Sequence, residues 1–236
     1  MFENNRVKAQ HEFKRALELN PSYVMGHCWY ALLYLQWACG EFEQGIAEAR
    51  RALDIDPLSS YAAMTLAACL CTADRLDEAI EVARRAVQQD AESFIARWIL
   101  GVSLGTAGRF EEAAFTLEAA AGMSGRHTLA LTCLAGVLGQ WEKPAEANRL
   151  HWELMERASK GYVPAAHLAL TAEAAGEHEN AIAFARRAWD EREPPFILWA
   201  RHFPPYRTLH SDSRFAAILR EMDSPYGESK TVTVVP

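Results

Sequence analysis

A small residue recurs every 34 positions along this chain: Gly45, Ala79, Ala113, Ala147, Ala181. Three more registers keep the same stride: Leu32, Leu66, Leu100, Leu134, Leu168; Leu33, Ala67, Gly101, Ala135, Ala169; and Ala52, Ala86, Ala120, Leu154, Ala188. Four registers held over five copies without insertion constrain the fold strongly, because a fixed period of this length marks stacked supersecondary units. One unit cannot bury its apolar face alone, so the core forms between neighbours.

Each copy is helical twice over. WYALLYLQWA (29–38) is an apolar helical run, Cys39-Gly40-Glu41 breaks it, and FEQGIAEARRALDI (42–55) follows before a stop at Asp56-Pro57. Gly40, Gly108 and Gly176 stand at the ends of first helices, where a left-handed residue suits glycine. Pro57 cannot continue a helix. Ala79 and Ala86 share one face of a second helix, where small side chains admit a close neighbour. KRALELNP (14–21) has the same ending as RRALDIDP (50–57), yet no first helix precedes it. Ala9 precedes Gly45 by 36 residues, which predicts a loop two residues longer. The absent partner helix needs roughly fifteen residues before Met1. The expectation is a chain cut from something longer, or a first helix that acts as a cap.

These features resemble the tetratricopeptide repeat (TPR). Trp29, Leu32, Phe42, Ala52 and Pro57 carry the pattern in the first full copy. Leu100, Gly101, Gly108, Phe110, Ala113 and Ala120 carry it in the third, and Leu168, Gly176, Ala181 and Ala188 in the fifth. Ala9, Phe13, Ala16 and Pro21 match second-helix positions. The resemblance implies an all-α, right-handed α-solenoid of stacked antiparallel helix hairpins. The expected array covers 1–195: a half-repeat (1–23), then repeats at about 26–59, 60–93, 94–127, 128–161 and 162–195. A C-terminal segment with a capping helix (196–223) and a flexible tail (224–236) follow. The fourth copy, with Glu142-Lys143-Pro144 at its turn and Leu154 for alanine, is expected to be loose or differently packed. Pro205-Tyr206-Arg207-Thr208-Leu209 and Ser211-Asp212-Ser213-Arg214-Phe215 are similar to the ending of TPR regions in bacterial multidomain cyclases, kinases and winged-helix regulators. That likeness implies a regulatory module of a larger signalling protein.

Catalysis has no candidate. Gly101-Val102-Ser103-Leu104-Gly105 spells G-x-S-x-G, but that nucleophile motif needs a strand before it and here falls within a helical run. The eight histidines show no metal-ligand spacing, and the five cysteines read as buried apolar residues of a reducing compartment. No metal or cofactor is expected. The net charge of −7 argues against a nucleic-acid binder, and no apolar run suffices to span a membrane. A cytoplasmic location is expected.

What remains is a surface. In the TPR arrangement first helices line the concave face, and mapping their faces places Tyr30, Tyr34, Trp37, Tyr61, Met64, Ile95 and Trp98 there. The expected function is a non-catalytic scaffold that binds a protein or peptide through apolar and aromatic anchors. Phe196, Trp199 and Phe203 of the C-terminal segment are the alternative occupants of that surface. TPR domains that clamp acidic chaperone tails carry cations and asparagine where Tyr30, Tyr34, Thr65, Ile95 and Ile99 stand, so that ligand class is not expected. The open first end offers a surface for homodimerisation. Arg50-Arg51, Arg84-Arg85 and Arg186-Arg187 form a ladder on second helices, read as a solvated convex face or a site for an acidic partner.

Overall fold

The computed structural model describes residues 2–223, with side chains from Arg6 to Met222. Helix α1 (Phe2–Leu19) precedes five hairpins. The first pairs α2 (Val24–Trp29), continued by a π-helix (Tyr30–Cys39), with α3 (Phe42–Ile55). The others pair α4 (Ser60–Thr72) with α5 (Leu76–Gln89), α6 (Phe94–Thr106) with α7 (Phe110–Met123), α8 (Thr128–Gln140) with α9 (Pro144–Lys160), and α10 (Ala165–Ala174) with α11 (His178–Asp190). Then come α12 (Pro194–Trp199), a 3₁₀ turn (Pro204–Leu209) and α13 (Ser213–Asp223).

The backbone repeats as strictly as the sequence. Left-handed residues close the first helices at Gly40, Asp74, Gly108, Glu142 and Gly176, with φ of 71°, 60°, 75°, 55° and 81°. At the second to fifth of these turns the next amide reaches five residues back, as from Arg75 to the Leu70 carbonyl and from Arg109 to the Leu104 carbonyl, each 2.9 Å. At the first turn it reaches six, from Glu41 to the Leu35 carbonyl at 2.8 Å.

That difference corrects the expected long loop. The turns before the first and second hairpins are alike: the Tyr23 amide meets the Asn20 carbonyl at 3.1 Å, and the Ser59 amide meets Asp56 at 3.2 Å. The two extra residues lie inside the helix, between Val24 and Cys39, and are taken up as the π stretch. A π turn holds more residues per turn than an α turn, so an insertion is absorbed without moving the turn that follows.

The core runs between hairpins. Ala79, Ala83, Ala113 and Ala120 are fully buried, and a Cβ on Gly101 would lie 2.5 Å from Leu117 Cγ. The fourth hairpin is not loose. Its second helix runs on to Lys160, Leu154 is fully buried, and Arg126 grips Glu153 at 2.6 and 3.0 Å.

The arginine ladder is committed within the array. Arg50 bridges to Glu78 of the next second helix (3.1 Å), Arg84 to Glu112 (3.0 Å), and Arg186 to Glu221 of α13 (2.7 Å). The second arginine of each pair binds a carboxylate within about one turn of itself: Glu48, Glu81 or Glu191. Such exposed pairs contribute at most about 1 kcal/mol each.

Helix α13 lies on α11. Asp212 Oδ1 accepts the Arg214 amide at 2.6 Å, an N-cap bond, and Phe215 and Ile218 are buried beneath the helix. The expected flexible tail, with its TVTVV stretch, lies outside the described residues.

Candidate functional site

The concave face is built by two sources: the first helices, and the chain that returns across them. The return begins at Glu193, which is buried. Its carboxylate accepts the Ala165 amide at 2.8 Å and the Ala166 amide at 2.9 Å, supplying the acceptors that the first turn of α10 lacks. Pro194-Pro195 then opens α12 and aims it into the face.

Phe203 sits between Trp37 and Trp98, with ring centroids 6.1 Å from each. Trp199 packs on Phe203 (5.3 Å), meets Trp37 edge-on (5.9 Å) and lies parallel to His167 (6.0 Å). Tyr206 donates its hydroxyl to the Ala166 carbonyl at 2.9 Å, and its ring joins Phe196 and Phe215. His202 meets Phe42 of the first hairpin (5.4 Å). Arg207 Nη1 pairs with Asp74 Oδ1 at 2.6 Å, and Nη2 donates to the Thr72 carbonyl at 3.5 Å. Residues 196–209 therefore touch the first, second, third and fifth hairpins. Phe196, Phe203, Tyr206 and Leu209 are buried. At about 2 kcal/mol per large apolar side chain, this segment belongs to the core.

The expected groove residues separate accordingly. Trp37 and Trp98 are only 6% and 5% exposed, closed over by Phe203, and Met64 is buried with them in the main core. Tyr30 and Tyr34 face elsewhere. They stack on each other (5.6 Å) and meet Phe13 of α1 at a tilt (5.4 and 5.9 Å), and the Tyr34 hydroxyl donates to the Arg6 carbonyl at 3.0 Å. Tyr61 packs beside Cys28, Ala52 and Ala62, and Ile95 lies half-buried on the core. The aromatic surface read from the sequence is thus largely closed: α1 covers Tyr30 and Tyr34, and the C-terminal segment covers Trp37 and Trp98, while Tyr61 and Ile95 stay half-exposed.

An open groove persists beside that segment. A cavity of about 500 Å³ lies over Thr132, Gly136 and Gln140 of α8 and Leu170 and Glu173 of α10, with Pro205 and Thr208 as its far wall. A Cβ on Gly136 would meet no atom within 4 Å, whereas one on Gly139 would lie 2.8 Å from the Ala174 carbonyl oxygen. Gly136 therefore leaves room in the groove, and Gly139 lets α8 and α10 approach. Glu173, at the rim, bonds His178 Nδ1 (2.6 Å), whose Nε2 bonds Asp212 (2.9 Å). Those bonds, Asp212 first, hold the His178 pKa above its usual value. Burial instead lowers that of His167 to about 4, so it is neutral under Trp199.

A tetratricopeptide-repeat model matches residues 30–94 and 73–125. With the hairpins and their 34-residue backbone period, that match decides the architecture. The fold is an α-solenoid of the TPR type. Solved structures with similar folds include PilW, a type IV pilus biogenesis factor (17% identity, TM-score 0.60, covering 93% of each chain). Another is pilF of Pseudomonas aeruginosa (23% identity, TM-score 0.52, covering 85% of this chain and 90% of that one). A thermophilic TPR protein of Thermus thermophilus is also similar (18% identity, TM-score 0.54, covering 78% of this chain and 93% of that one). At these identities the likeness is one of fold. The curated proteins include no match.

Within this solenoid the G-x-S-x-G stretch lies inside α6, and Ser103 is fully buried. The strand-to-helix turn that would present such a serine is absent there. Among the described residues no helix is long and apolar enough to cross a membrane, and no three His, Cys, Asp or Glu side chains gather at a metal-binding distance. His27, His151 and His167 are buried, bonded to Glu48, Thr171 and Thr128 respectively. Burial lifts the Cys133 thiol to about 12, far from a reactive thiolate. The groove offers shape, carboxylates and hydroxyls, a binding chemistry.

Proposed function

We propose that this chain is a non-catalytic protein-interaction scaffold that takes a peptide or short helix of a partner in the groove over α8 and α10. In this reading Trp37 and Trp98 serve by holding Phe203 of the chain's own segment, and Tyr30 and Tyr34 by holding α1. The observation that carries it is the seating of residues 196–209: the same face already binds a stretch of short helical turns through aromatic anchors, a backbone bond and an ion pair. Stacked hairpins and a core-anchored wall keep the remaining groove in shape, so a ligand loses freedom chiefly through its own ordering.

Gly136→Phe tests the reading. The new side chain enters open space on a helix interior, and replacing glycine there favours the helix by a few tenths of a kcal/mol. The melting temperature should be unchanged or slightly higher. Peptides selected from a display library on the full chain should bind the variant at least about tenfold more weakly, the loss of roughly 1.4 kcal/mol. Equal affinity would place the binding surface elsewhere.

A further inference from the structure

Left-handed φ disfavours any residue with a Cβ, and three of the five first-helix turns accordingly carry glycine. Asp74 and Glu142 are the exceptions, two repeats apart at the same turn position. An unfavourable backbone conformation kept with a charged side chain points to a use for that side chain. Each of the other left-handed side chains has one: Asp74 holds Arg207, Arg126 holds Glu153, and Arg192 lies 4.0 Å over the Trp189 ring. Glu142 forms no ion pair among the described residues, and its neighbour Lys143 is spent over the Trp141 ring at 3.4 Å. Yet Glu142 stands at the groove over α8 and α10.

The Asp74 contact shows what this turn geometry can do. Arg207 spans two acceptors there, the Asp74 carboxylate and the Thr72 carbonyl. Advancing by two periods converts Thr72 to Gln140 and Asp74 to Glu142, and both line the same cavity. The third hairpin has Gly108 at this position and the fifth has Gly176, so neither supplies a carboxylate. Glu173 and Glu142 line the cavity, and no lysine or arginine does. Arg207, beside Pro205 and Thr208 of the wall, is already taken by Asp74.

Resting on the reading that this groove takes a partner segment, we infer that the segment belongs to another protein and presents an arginine to Glu142 and the Gln140 carbonyl. Arginine fits better than lysine, because its planar fork can meet carboxylate and carbonyl together. The chain thus carries, in Arg207 on Asp74, an internal copy of the contact it makes with its partner.

The test is display selection of random heptapeptides on the full chain as wild type, Glu142→Gln, Glu142→Gly and Gly136→Phe. Wild type should enrich groove binders with a fixed arginine. Exchanging that arginine for citrulline, or Glu142 for Gln, should weaken them about two- to fivefold, the upper range of one exposed charge pair. Glu142→Gly should lose the same preference while melting at a higher temperature, since glycine relieves the turn. Binders that depend on Gly136 but show no arginine preference, or keep it in Glu142→Gln, would overturn this inference and leave the groove reading standing. No enrichment over Gly136→Phe would overturn both. A dimer of this chain that Glu142→Gln dissociates would assign the arginine to a second copy and overturn the partner assignment.

Discussion

Phe203→Ala should lower the unfolding free energy by about 3–5 kcal/mol, the usual range for emptying a buried phenylalanine site. For a chain of this size that corresponds to a fall in melting temperature of roughly 10 °C. The ring fills the space between Trp37, Trp98 and Trp199, which lie on the first and third hairpins and on α12. Its removal leaves a cavity that no single hairpin can close, because the walls belong to elements far apart in sequence. Tryptophan emission should shift to the red as water reaches the two indoles of the first helices. A loss below about 1 kcal/mol, the cost of a lightly attached surface segment, would mean that residues 196–209 merely rest on the face.

Glu193→Ala should cost about 3 kcal/mol. Hydrogen bonds to a charged acceptor are worth about 1.5–3 kcal/mol each, and this carboxylate takes two amides at the start of α10. Alanine leaves both donors buried without a partner. The same change frees the hinge at which the chain turns from α11 into the groove, so segment and solenoid should loosen together. Denaturant unfolding measures the loss. Glu193→Gln, which keeps an acceptor oxygen but not the charge, should fall between alanine and wild type. Equal stability of alanine and wild type would remove the hinge from the account.

Much of the architecture is readable from residue spacing. The 34-residue stride marks the hairpins, and the alanine registers mark where second helices meet their neighbours. The partner of the arginine ladder was also present in the sequence: Glu78 and Glu112 each follow Arg50 and Arg84 by 28 residues. What escaped reading had physical reasons. Two extra residues between Val24 and Cys39 look the same in sequence whether they lengthen a loop or widen a helix; only the backbone hydrogen bonds distinguish them. Glu142 was legible at its turn, but the left-handed backbone there and at Asp74 was not, because glycine is the usual sign of it and these two replace glycine. The aromatic residues expected on an inner face divide, with Trp37 and Trp98 under Phe203 and Tyr30 and Tyr34 against α1, and their spacing left open what covers them. The covering segment has no repeat, follows one double proline and contains another, and makes its deciding ion pair across 133 positions, from Asp74 to Arg207. Local patterns do not encode such a contact.

The inner face of this solenoid is a composite of first helices and the chain's own C-terminal segment. Hydrogen–deuterium exchange of residues 199–209 in the full chain tests that most directly. The Tyr206 and Leu209 amides should exchange as slowly as those of α8 and α10, since opening them requires exposing side chains that belong to the core. Exchange at the rate of free peptide, while α8 and α10 stay protected, would contradict the account and reopen the aromatic face around Trp37 and Trp98 as the partner site.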